Sequence, residues 1–146
     1  MDTHRAALMA ALILAAIPSR SVYGQATGAQ SDVLTTVTVE AKYPWTDSGL
    51  VVRKGDRLAL TVEGSIHWGS KADEVAGPDG RNGTPRKPGK GALIGRIGYD
   101  AKPFPVGSAP TPLVMRQSGK LFLGINDFIF DDNTGAFIVT IARAAR

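Results

Sequence analysis

From Val33 onward no stretch of this chain runs far before a glycine, a proline or an Asp/Asn pair interrupts it. Between the interruptions lie short runs rich in β-branched and aromatic residues: 33–40, 50–52, 58–63, 65–68, 92–97, 104–106, 113–116, 120–126 and 136–142. The first alternates cleanly, with Val33, Thr35, Val37 and Val39 on one side of an extended chain and Leu34, Thr36, Thr38 and Glu40 on the other. A helix needs apolar residues at a period near 3.6 over about ten residues, and no window beyond residue 26 supplies them. Short strands at roughly 8–12-residue spacing fold as a sandwich or barrel. The expected fold is therefore all-β and a single domain, a sandwich or a barrel. Phe104-Pro105-Val106 belongs at an edge, because proline cannot donate to a ladder. Residues 41–49 are expected as a turn-rich connection and 69–91 as a long surface loop, since Gly and Pro erase all periodicity there.

Residues 1–26 have a different character. His4 and Arg5 precede an apolar run over 6–17, Pro18 breaks it, and small residues follow at Val22-Tyr23-Gly24 and Gly24-Gln25-Ala26. The run is short of the ~20 residues that span a bilayer, so it reads as a cleaved signal peptide and 27–146 as the mature domain, secreted or periplasmic and not inserted in a membrane. The chain contains no cysteine. Disulfides, thiolate chemistry and Cys-type zinc sites are thereby excluded, and the domain must be held by its core, by a metal or by association of copies. The net charge is +4, and taking away Arg5, Arg20 and Asp2 leaves +3. That is too little to argue for nucleic acid as a partner.

Chemistry concentrates between the last two runs, in Asn126-Asp127-Phe128-Ile129-Phe130-Asp131-Asp132-Asn133-Thr134-Gly135. A hard cation such as calcium takes 6–8 oxygen ligands from carboxylates, amides and carbonyls. Asp127 and Asp132 would balance a dication and Asn133 would add a neutral oxygen. Without a cation the carboxylates repel. The same residue types also favour turns with no metal present, and the spacing is not that of an EF-hand.

Several pieces resemble the calcium-dependent galactophilic lectins of bacteria, the PA-IL type. These are Pro44-Trp45-Thr46-Asp47-Ser48-Gly49, Gly55-Asp56, the strand from Gly91-Ala92-Leu93 to Ile97-Gly98, and the closing strand–loop–strand with Asn126-Asp127 and Asp132-Asn133-Thr134-Gly135. The resemblance extends over residues 33–142. It implies a jelly-roll-like β-sandwich of two antiparallel sheets with one calcium at its apex, bridging protein and the hydroxyls of a galactoside-like glycan. It implies Asp127, Asp132 and Asn133 as side-chain ligands, the Trp68 backbone carbonyl as another, and one loop carbonyl from Ile129, Phe130 or Asp131. Phe128 is implied to lie against the sugar, and Thr84 falls nearest a sugar-binding histidine of the family. The 127–133 loop is about two residues shorter than in the best-known member, and the family's His and Gln on the middle loop are absent. No catalytic residue is expected; lectins of this kind commonly gain useful affinity by multivalency, which a homo-oligomer would supply, and the sequence leaves the oligomeric state open.

Other candidates are weaker. His67 lacks the partners that a catalytic or multi-histidine site needs. Asp127 with Asp132 as a glycosidase pair is less economical than the same two as ligands. Arg81, Arg86, Lys87 and Lys90 read as a solvated loop, with anionic or sulfated glycans as a minor variant of the lectin reading, and Tyr43 with Trp45 as a core corner.

Overall fold

The computed structural model describes residues 32–144; the expected signal peptide lies outside them. Nine strands form two antiparallel sheets, and no helix occurs among the described residues. One sheet orders β1 (Val33–Glu40), β9 (Thr134–Arg143), β3 (Arg57–His67) and β4 (Val75–Ala76), with β7 (Leu113–Val114) also paired to β3. The other orders β2 (Trp45–Val52), β8 (Gly119–Ile125), β5 (Leu93–Ile97) and β6 (Phe104–Pro105). The proline-bearing β6 pairs only with β5, at the edge where a missing N–H costs nothing.

Alternation builds the core. Phe137, Val139 and Ile141 of β9 are fully buried, while Ile138 between them is exposed. They pack with Val37 and Val39 of β1 and with Leu58, Leu60 and Ile66 of β3 against Leu93, Ile97, Leu121, Leu123 and Ile125 of the facing sheet. At ~25 cal/mol per Å² of apolar surface, each such side chain stabilises the fold by about 1.5–3 kcal/mol before entropy is counted. β8 is buried at consecutive positions because both its faces are covered. On its outer side Tyr99 stacks on Phe122 at 4.9 Å, and the Arg96 guanidinium lies 4.3 Å from Trp45 and 5.4 Å from Phe122.

Three local expectations change. Residues 45–52 form one strand instead of a connection followed by a short strand. The turn chemistry of Asp47-Ser48-Gly49 is spent inside it on a bulge, where the ladder shifts register and the Gly49 N–H donates to Asp47 Oδ1 at 2.8 Å. Gly64 does not divide β3, because it stays in register opposite Phe137 in the ladder, where the neighbouring backbone comes so close that a Cβ would strike the Ala136 carbonyl. Tyr43 is exposed and Trp45 half-buried, so neither is a core corner.

The 69–91 segment has little regular structure but is tied down throughout. β4 adds to β3, Arg81 and Thr84 bridge Lys90 and Lys87 in a narrow hairpin, and Asp79 accepts from Ser108 N and Ser108 Oγ at 2.7 and 3.1 Å. Gly80, Gly83 and Gly89 permit the close approach, since a Cβ at any of them would strike the opposite arm.

Candidate functional site

The loop between β8 and β9 carries the chain from one sheet to the other at one end of the sandwich. Its entry is fixed by the backbone. Asn126 N donates to Ala92 O at 2.8 Å, Gly91 N donates to Asn126 O at 2.9 Å, and Asn126 Nδ2 donates to Gly89 O at 2.9 Å. These bonds set the base of the 81–90 hairpin beside Asp127. The exit is fixed by the ladder. His67 pairs with Thr134, so Trp68 and Asn133 leave adjacent strands side by side.

Asp127 Oδ1 accepts from Phe128 N at 2.7 Å and Ile129 N at 3.4 Å, an Asx turn. The Lys90 ammonium stands 3.6 Å from the same oxygen, and the Asp127 side chain is only 1% exposed. Its other oxygen, Oδ2, is buried and has no partner. Asn133, 3% exposed, donates from Nδ2 to Ala41 O at 3.1 Å, while its Oδ1 is likewise buried without a partner. The Nδ2 contact fixes which way the amide points and leaves the oxygen as the unsatisfied atom.

Among the described residues, four buried side-chain polar atoms lack a partner, and three of them belong to this end: Asp127 Oδ2, Asn133 Oδ1 and Trp68 Nε1. Each unsatisfied buried group costs about 1–3 kcal/mol, more if charged, so folded proteins leave few of them without a reason. Two orphaned oxygens on one loop, one anionic and one amide, are the donor chemistry of a hard cation. The residues present fit calcium in this respect. No group of three or more His, Asp or Glu side chains converges among the described residues. Any calcium shell here would draw on amide and backbone oxygens beside at most two carboxylates, all of them ligand types that calcium accepts.

The remaining predicted residues fall in distinct places. Asp132 is exposed on the loop. Phe130 packs on the core and its carbonyl accepts from Asn133 N at 3.1 Å. Phe128 is 97% exposed. Trp68 packs against the core cluster, and its backbone N–H donates to Glu74 O. Thr84 lies at the hairpin tip, where its hydroxyl accepts from Lys87 N at 3.1 Å, whereas the hairpin base beside Asp127 presents Lys90. Lys90 is the residue the sequence reading placed in solvent. Only its pairing with Arg81, and Gly91 bonded to Asn126, bring it here. His67 is exposed on β3, as its alternation requires.

The fold is a single all-β domain of two antiparallel sheets. No protein-family model matches the chain. It is 28% identical over 102 residues to Lectin A of Photorhabdus laumondii subsp. laumondii, covering 68% of this chain and 82% of that protein, which makes it a distant homologue of a bacterial lectin. A solved structure described as EclA N-terminal domain; PllA-like lectin superposes with a TM-score of 0.65 at 23% identity, covering 77% of this chain and 98% of that one, and shares the sandwich.

Proposed function

We propose that this protein is a non-catalytic, calcium-dependent carbohydrate-binding protein whose site is the 127–133 loop. The pair of orphaned buried oxygens, Asp127 Oδ2 and Asn133 Oδ1, carries the reading. Asp127, Asn133 and Asp132 would hold the ion, with backbone carbonyls of Trp68 and Phe130 as further donors. The ion, when bound, supplies coordination positions for two adjacent sugar hydroxyls. The rest falls to the chain. The carboxylates accept hydrogen bonds from the same hydroxyls, and such charge-assisted bonds are roughly twice as strong as neutral ones. Phe128, almost wholly in solvent, offers an apolar face to the CH side of a sugar ring. The Asx turn holds that ring next to the metal-binding carboxylate.

A galactoside is the proposed ligand, with Thr84 as the contact from the hairpin. Export through residues 1–26 is part of the same proposal, and intact mass of the exported protein tests it: a chain that begins near residue 27 is expected. Association of copies would raise a weak single-site affinity by effective concentration. Retention on immobilised galactose in calcium, with release by a chelator, is expected; passage through the column in both buffers refutes the reading. A second reading, a structural sandwich that binds no sugar, is favoured by one observation: Lys90 already stands beside Asp127 and offsets part of its charge.

A further inference from the structure

Arg81 and Lys90 have no part in that function, yet the fold takes trouble to place them. They face one another as a bridged pair at the base of the hairpin. Both lie over the Trp68 ring, Lys90 Nζ at 4.3 Å and Arg81 Cζ at 5.7 Å from its centroid. Stacking on the indole holds two long side chains that would otherwise sample many rotamers. Their acidic neighbours are few. Arg81 reaches Asp73 at 4.0 Å, both largely in solvent, a contact of little strength. Lys90 has Asp127. Residues 80–91 contain Arg81, Arg86, Lys87 and Lys90 and no acid at all.

A carboxylate committed to a dication no longer offsets a neighbouring ammonium. In the loaded site Lys90 and Arg81 would border the sugar as two cations with no anion between them, a repulsive arrangement that an anionic ligand group relieves. We infer that the preferred ligand is an acidic sugar, whose carboxylate or sulfate is received by Lys90 and Arg81 while its hydroxyls engage the 127–133 loop. This rests on the carbohydrate-binding reading and adds to it the charge of the ligand. The guanidinium presents a planar fork that matches either oxyanion, and the ammonium acts as a point charge beside it.

The test is calorimetric titration of the calcium-loaded protein with galactose, galacturonic acid and a sulfated galactose, in wild type and in the double variant Arg81→Gln/Lys90→Gln. At least one acidic sugar is expected to bind about tenfold more tightly than galactose, the gain of a charge-assisted over a neutral contact, and the stronger of the two identifies the anion. In the double variant the ratio of acidic to neutral affinity falls to about one while calcium still titrates. High salt erodes the advantage in wild type. Equal affinities in wild type, or an advantage kept by the variant, overturn the inference. If calcium titrates but no sugar binds, the carbohydrate reading itself falls and takes this one with it.

Discussion

The two ends of the sandwich are built from the same residue types and are satisfied very differently. At one end, the turn at Gly55-Asp56 leaves no buried side-chain polar atom without a partner. Arg53 N donates to Asp56 Oδ2 at 2.8 Å, Asp56 N to Arg53 O, Gly55 N to Met115 O, and Lys54 N to Ser118 Oγ. At the other end, roughly 30 Å away along β3 at ~3.3 Å per residue, the Asp127 turn leaves one carboxylate oxygen buried and unbonded. Asp47 and Asp79 repeat the lesson. Asp47 takes Gly49 N on one oxygen and Lys120 Nζ on the other, and Asp79 divides its two oxygens between Ser108 N and Ser108 Oγ. Aspartate in a turn is therefore ordinary in this chain. Aspartate in a turn with a buried oxygen left unanswered is not, and that difference separates a structural Asp from a candidate ligand.

Substitutions can break or sharpen the contrast. The largest effect should come from the core that both ends share. Phe137→Ala removes a fully buried ring at the sheet–sheet interface and should cost about 3–5 kcal/mol in urea unfolding. Binding at the loop should weaken with it wherever the fold is marginal. Next comes ligand linkage. Calcium at a hundred times its dissociation constant should stabilise wild type by about 2.7 kcal/mol, read as a raised melting temperature, and should leave Asp127→Ala unmoved. Asp56→Ala, at the satisfied end, should lose about 1 kcal/mol with its hydrogen bond and keep the full calcium response. Asn133→Ala takes the donor from Ala41 O and should cost about 1–3 kcal/mol while weakening calcium.

The smallest effect belongs to Asp47. The Gly49 N–H first, and the Lys120 ammonium second, hold its carboxyl below the ordinary carboxylate range. A depressed folded-state value means that this stabilisation is complete above the unfolded value, ~3.9, and is lost as pH falls through the folded one. Acid unfolding of Asp47→Asn should therefore differ slightly from wild type below pH ~4 and match it near neutrality.

Strand identity was legible because the 33–40 and 136–142 alternation states both period and face. The 45–52 strand was not. Its Asp-Ser-Gly carries turn chemistry, and sequence does not say whether a turn or a bulge spends it. Candidate loop ligands were nameable from residue type and resemblance, but the burial of Asp127 and Asn133 was not. Asn133 is submerged because Ala41 O reaches its amide across 92 positions of sequence separation. Lys90 was read as solvent-facing for the same reason: only the pairing of distant segments brings it to Asp127.

The most direct test of the account is calorimetric titration of calcium into the chelator-stripped protein, in wild type, Asp127→Ala and Asp56→Ala. Saturable heat in wild type and Asp56→Ala, absent in Asp127→Ala, is the predicted result. No calcium heat in wild type, or heat that survives in Asp127→Ala, would contradict it.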